Sequence, residues 1–201
     1  MERIYIQNYY KEVERVKTFG GTANESSLRA PFQDLLKRYA DAFNLSLIHE
    51  LTVRGRTGNS VRPDWTLVDN MRLERGHWES KDEKGDIEAE IRSKFDKGYP
   101  NQNILFEDSQ NAVLYQNGRE VMRCRIAVPE ELDSALNAFV SFEPPEVQDF
   151  RKAIELFSQD IPSITQAISE RIKSAKIDNP IFVKQCAIFL ELCQRSIKPA
   201  I

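Results

Sequence analysis

Val61-Arg62-Pro63-Asp64-Trp65 and, further along, His77-Trp78-Glu79-Ser80-Lys81 are the two stretches on which the reading of this chain turns. In a strand, residues two apart share a face, so Glu79 and Lys81 project to one side and Ser80 to the other. A neighbouring strand carrying Asp64 would set a second carboxylate beside Glu79. Hard Mg²⁺ takes oxygen ligands, and two carboxylates completed by waters and a phosphate oxygen suit it. The Lys81 ammonium would then orient or help deprotonate a water, while the metal stabilises charge developing on the phosphate.

The surroundings agree with that placement. Leu45 to Val53 is β-prone, and the polar stretch Arg54 to Ser60 follows it, with Gly55 and Gly58 as breakers. Val61 to Val68 reads as a second strand, Asp69-Asn70 breaks it, and Gly76 to Asp82 reads as a third. Asp86 to Lys97 is helical in pattern, with Ile87, Ile91 and Phe95 on one stripe.

On these residues the chain resembles the PD-(D/E)xK nucleases, Mg²⁺-dependent enzymes that hydrolyse DNA phosphodiesters. The resemblance extends to Thr22-Ala23-Asn24-Glu25-Ser26-Ser27-Leu28-Arg29-Ala30-Pro31-Phe32. It also takes in Asn103-Ile104-Leu105-Phe106-Glu107-Asp108 and Ala112 to Gly118. Together these look like the amino-terminal nuclease domains of single-chain restriction-modification enzymes, the single-polypeptide type I and type IIG kinds. The similarity runs from about Thr22 to Ile126, with a looser match beyond. It implies Asp64 and Glu79 as ligands of Mg²⁺, for which Mn²⁺ can substitute, and Lys81 as the residue assisting the water. An acidic residue on the first helix often lies near the metal in that family, and Glu25 is the matching position. The plainer alternative for Glu25, a first-turn carboxylate favoured by the helix dipole, stands beside it. The partners implied are DNA and a fused or associated methyltransferase and target-recognition domain.

Composition bounds the rest. The chain has 201 residues, 41% of them hydrophobic and 29% charged, an ordinary globular mixture. No apolar run is long enough for a membrane span, and the first residues lack the apolar core of a signal peptide. Cys124, Cys186 and Cys193, with no CxxC, fit a reducing cytoplasm and argue against a zinc site or disulfide framework. Cys186 and Cys193 are expected to pack in a core. A net charge of −3 is awkward for DNA binding, which rests on Lys and Arg neutralising phosphates. Weak DNA binding by this chain alone is therefore expected, with recognition supplied elsewhere.

Along the chain, Met1 to Thr18 reads as a helix ended by Gly20-Gly21, and a second helix runs from about Asn24 to Asn44. Pro31 is expected to kink that second helix or mark its start. Asn117-Gly118 is a type I′ hairpin signal between Ala112–Tyr115 and a returning strand, Glu120 to Val128. Phe142-Glu143-Pro144-Pro145 marks a boundary, beyond which Glu146–Ser174 and Pro180–Ser196 read as helices. Residues 1–142 are thus expected to form the nuclease-like domain, and 143–201 a helical extension or linker.

Other polar residues are weighed against plain roles. Without Glu79 and Lys81, Asp64 would be a turn residue. Glu79 and Lys81 taken alone would be a solvated cross-strand pair worth little. Asp82, Glu83 and Lys84 read as a charged strand end. His49 and His77 have no partners at zinc-ligand spacing and are expected to be structural. Gln102 and Gln110 would orient a phosphate or water, and Arg54, Arg56 and Arg62 would touch a DNA backbone or form a solvated hairpin tip.

The expected fold is α/β, a restriction-endonuclease-like mixed sheet of four or five strands flanked by helices, with a C-terminal helical extension. The expected activity is Mg²⁺-dependent DNA cleavage within a restriction-modification system. A stand-alone repair or recombination nuclease, and a non-catalytic DNA-binding or interaction module keeping the fold, are the alternatives.

Overall fold

The computed structural model describes residues 2–19, 25–81 and 85–196. Along the chain come α1 (Glu2–Phe19), α2 (Glu25–Ala42), β1 (Ser46–His49), β2 (Val53–Arg54), β3 (Ser60–Val61), β4 (Trp65–Val68) and β5 (Glu74–Ser80). They are followed by α3 (Ile87–Asp96), β6 (Asn103–Glu107), β7 (Asn111–Gln116), β8 (Arg119–Arg125), α4 (Pro129–Ser141), α5 (Pro145–Asp178) and α6 (Pro180–Ser196). The chain divides into two compact units, Met1–Gln148 and Asp149–Ile201.

Among the described residues of the first unit, six strands form one mixed sheet in the order β1-β4-β5-β6-β7-β8. This is one strand or two more than the four or five expected. β5 and β6 are the parallel pair, and the other neighbours are antiparallel. Parallel neighbours need a crossover, and α3 supplies it. The Asp86 carboxylate starts α3 by accepting from the backbone N–H groups of Glu88 and Ala89.

The two faces of the sheet bury different sets of side chains. Leu67, Trp78, Leu105 and Leu114 point to one face and pack with Phe32, Leu35 and Leu36 of α2 and Leu132, Leu136 and Phe139 of α4. Ile104, Phe106 and Val113 point to the other and pack with Ile87 and Ile91 of α3. β5 lies near the middle and is buried from Arg75 to Ser80, so its alternation decides which helix each side chain meets. Gly76 is required where β5 passes α4. A Cβ there would lie 2.9 Å from the Phe139 ring and 2.5 Å from Asn103 Nδ2, too close for either to remain in place.

Several boundaries differ from the sequence expectation. The stretch Val61–Val68 is not one strand. Pro63 has no N–H to offer a ladder, so β3 pairs with β2 in a separate ribbon while β4 joins the main sheet. α2 neither starts nor ends at Pro31, because Leu28, Phe32, Leu35, Leu36 and Tyr39 are buried on both sides of it. The helix α4 had no counterpart in the periodicity reading. Its signals are Pro129 in the first turn, followed by Glu130 and Glu131, then the buried series Leu132, Ala135, Leu136, Phe139, Val140. Asn117 and Gly118 both have positive φ, as a type I′ turn demands. Gly20, Gly21, Asp82, Glu83 and Lys84 lie outside the described residues.

The second unit holds the remainder of α5 and α6. Phe157, Ile161, Ile164, Ile168, Phe189 and Leu190 are exposed there, and Cys186 and Cys193 are half-buried rather than packed in a core. Among the described residues, no helix is long and apolar enough to cross a membrane.

Candidate active site

The carboxyl ends of β5 and β6 and the chain entering β4 meet at one place. Trp65 pairs with Trp78, so the residue before β4, Asp64, stands opposite Glu79. The Asp64 backbone N–H donates to Glu79 Oε1 at 3.3 Å, and the Ser80 N–H donates to Asp64 Oδ2 at 3.1 Å. Arg29, one turn into α2, approaches the same Asp64 oxygen at 3.5 Å. Asp64 and Glu79 are therefore neighbours, as the spacing of the motif leads one to expect. Glu25 opens α2, and its side chain lies outside the described residues.

Glu79 is 2% exposed and faces α3. Burial pushes its carboxyl up to about 7; Lys94 and the hydrogen bond from the Asp64 N–H work against that shift, and the Asp64 charge adds to it. Lys94 was not singled out by the motif, yet its Nζ lies 2.5 Å from Glu79 Oε2. Burial alone would lower the pKa of the Lys94 ammonium, but Glu79, with Tyr99 and Asp64 adding to it, makes the net shift upward. Lys94 also lies 3.7 Å from Glu90 Oε1 and 4.6 Å above the Tyr99 ring. Lys81 sits just past the end of β5, 38% exposed, with its ammonium 3.5 Å from Glu90 Oε2. Glu79, Lys94, Glu90 and Lys81 thus alternate in sign. The signal for Lys94 was its position on the stripe of Ile87 and Ile91, where a core-facing helix normally carries an apolar side chain.

A second buried acid lies on the opposite face. Glu107 ends β6 at 2% exposure, with the Ser80 hydroxyl donating to Oε1 at 2.6 Å and the Ser109 N–H donating to Oε2 at 2.8 Å. Burial raises its carboxyl to about 7, and the Ser80 hydrogen bond opposes that. Ser80 consequently touches Asp64 through its backbone and Glu107 through its side chain.

The remaining candidates are not gathered here. Gln102 lies at the start of β6, the far end of the sheet, and its amide donates to Glu146. Gln110 lies in the β6–β7 turn, at the near end. Arg56 is committed to α3, donating to the carbonyls of Tyr99 at 3.0 Å and Phe95 at 3.0 Å. Arg54 and Arg62 are exposed. His77 is buried against Thr66, and burial holds its imidazole down at about 4, hence neutral. His49 rests on the Trp65 ring, centroid to centroid at 4.6 Å.

Among the described residues, no three or more His, Cys, Asp or Glu side chains gather where they could hold a metal ion. The two carboxylates that stand together are those of Asp64 and Glu79. That fits a Mg²⁺ ion, which keeps most of its waters and needs only one or two protein carboxylates beside a phosphate.

Comparison with solved structures adds a relation. The chain is 43% identical to a chain of the cryoEM structure of a DrdV–DNA complex. The two superpose with a TM-score of 0.71 over 88% of this chain, which spans 17% of the length of the other. No family model and no curated protein matches. With that superposition, the mixed sheet and its flanking helices are the restriction-endonuclease-like α/β fold expected from sequence.

The buried acids predict a pH dependence of stability. Glu79 and Glu107 hold a proton up to about 7 when folded, against 4.5 ordinarily, so between those values the folded state binds more protons than the unfolded. Stability contributed by these groups therefore falls as pH rises through that window. His77, held at about 4 against 6.5, acts in the opposite sense between those values. Two carboxyls outweigh one imidazole, and above pH 6.5 only the carboxyls act. Urea unfolding in chelator should show a loss of about 1–3 kcal/mol from pH 5 to pH 8; a steady gain would refute this account of the site.

Proposed function

We propose that this chain is a Mg²⁺-dependent DNA endonuclease module, the phosphodiester-cutting part of a longer restriction-modification enzyme. The observation that carries this reading is the juxtaposition of Asp64 and Glu79, with Lys94 on Glu79 and Lys81 joined to them through Glu90. The relation to the chain of a DrdV–DNA complex supports DNA as the substrate. Because this chain matches only 17% of that relative, methylation and target recognition are assigned to other parts of such an enzyme.

In this reading Asp64 and Glu79 would hold the ion, and Glu25 would either join them or be an ordinary first-turn carboxylate of α2. The bound ion supplies Lewis-acid stabilisation of the phosphate and lowers the pKa of a water. Asp64 is held by the Ser80 N–H and by Arg29, which orients its carboxylate for the task. Glu79 is kept in a low-dielectric position between the sheet and α3, where its charge acts strongly on whatever it binds. Lys81, just past the buried end of β5, would orient the attacking water and offset repulsion between the carboxylates and DNA phosphate. The net charge of −3 leaves little to hold DNA, so binding by this chain is weak and salt-sensitive.

The test is direct. At high protein concentration with Mn²⁺ or Mg²⁺, the chain should nick plasmid slowly and without sequence preference, and chelator should abolish it. Tight, sequence-specific DNA binding by the chain alone would contradict the division of labour. Failure of either ion to stabilise the fold or support cutting would favour an inert module.

A further inference from the structure

We propose that Lys94 is the resident counter-ion of the Asp64–Glu79 site. It holds one oxygen of Glu79 while no divalent ion is bound, and must surrender it for the ion to bind. Lys94 thereby sets the affinity of the site. This inference rests on the metal-site reading given above.

Both oxygens of Glu79 are in use. Oε1 accepts from the Asp64 N–H, and Oε2 accepts from Lys94 Nζ at 2.5 Å. An ion reaching Oε2 meets an ammonium already there, and its two positive charges are repelled by it. The displaced ammonium would not be stranded. Lys94 is 15% exposed, and Glu90 Oε1 lies 3.7 Å from its Nζ, the Tyr99 hydroxyl 3.5 Å and the Tyr99 ring face 4.6 Å. Tyr99 is itself fixed, donating its hydroxyl hydrogen to the Arg62 carbonyl at 3.0 Å. A short swing about the end of the lysine stem exchanges one anion for another while the cation–π contact persists. Lys94 acts through Glu79 and is a positioning residue, distinct from Lys81 in its role.

The probe is Mn²⁺ alone, titrated calorimetrically into the DNA-free chain at pH 8. Lys94→Met removes the competing charge, and Mn²⁺ should bind about tenfold tighter or more than to wild type. Lys94→Arg keeps the charge and should stay within about threefold of wild type. Equal or weaker binding by Lys94→Met, with wild-type binding intact, overturns the role of Lys94 and leaves the metal-site reading standing. Absence of Mn²⁺ binding in wild type and variant alike overturns both. Should Lys94→Met fail to fold, reductive methylation of the wild-type chain followed by peptide mass spectrometry decides the matter. Saturating Mn²⁺ should speed modification of Lys94 several-fold as it leaves Glu79, with exposed Lys97 as an unchanged reference. No change at Lys94 under saturation overturns the inference.

Discussion

Asp64→Asn should lower Mn²⁺-dependent plasmid nicking by about a thousandfold or more and remove most of the Mn²⁺ affinity. Loss of the metal's Lewis-acid contribution costs several kcal/mol, and each 1.36 kcal/mol is about a factor of ten in rate. The substitution is chosen because it spares the fold. Asp64 Oδ2 accepts from the Ser80 N–H at 3.1 Å, and the Asn carbonyl oxygen can accept the same bond. What is lost is one negative charge, the part an ion needs. Circular dichroism and thermal unfolding in chelator should be close to wild type. A variant that binds Mn²⁺ and nicks DNA at the wild-type rate would remove Asp64 from the site.

Lys81→Ala should reduce nicking by about 10²–10⁴-fold, the range typical of a positioned proton-transfer group, while Mn²⁺ affinity stays within a few-fold of wild type. The stability effect should be small. Lys81 is 38% exposed and pairs with Glu90 at 3.5 Å, and an exposed ion pair of this kind is worth about 0–1 kcal/mol. The contrast with Lys94 sharpens the test. Lys94 touches Glu79 and should govern the ion, whereas Lys81 touches Glu90 and should govern the chemical step. If Lys81→Ala cuts at the wild-type rate while Lys94 variants lose cleavage, the two lysines have exchanged roles.

Period and punctuation alone located most elements of the first unit. Alternation in the β-prone runs, the Asn117-Gly118 turn and the Asp86 cap each act over a few residues, so their physics is local and legible. The helical stripe of Leu28, Phe32, Leu35, Leu36 and Tyr39 is likewise local, and it carried α2 through Pro31 despite the ring. Asp64 and Glu79 could be paired on paper because the two stretches resemble a known motif, and the β-prone runs around them are adjacent in sequence. The division of Val61–Val68 could not be read so directly: the missing N–H of Pro63 is visible, but the ribbon that captures β3 forms only when β2 is beside it.

What only the tertiary structure decided concerns contacts between distant segments. Glu107 looks like an ordinary strand-end acid, and its burial depends on Ser80 from the parallel neighbour donating to it. Lys94 looks like a common helix lysine, the partner of Glu90 four residues before it, and meets Glu79 when the crossover lays α3 over that residue. Arg56 looks like a surface cation and is drawn onto the Phe95 carbonyl at the end of α3 and the Tyr99 carbonyl just beyond it. The sequence by itself put Glu79 and Lys81 on one strand face, because strand geometry has a fixed period of two residues, and the motif resemblance named Asp64 as the partner carboxylate. Which cations answer the carboxylates was decided by how a helix crosses the sheet, and no local period encodes that distance.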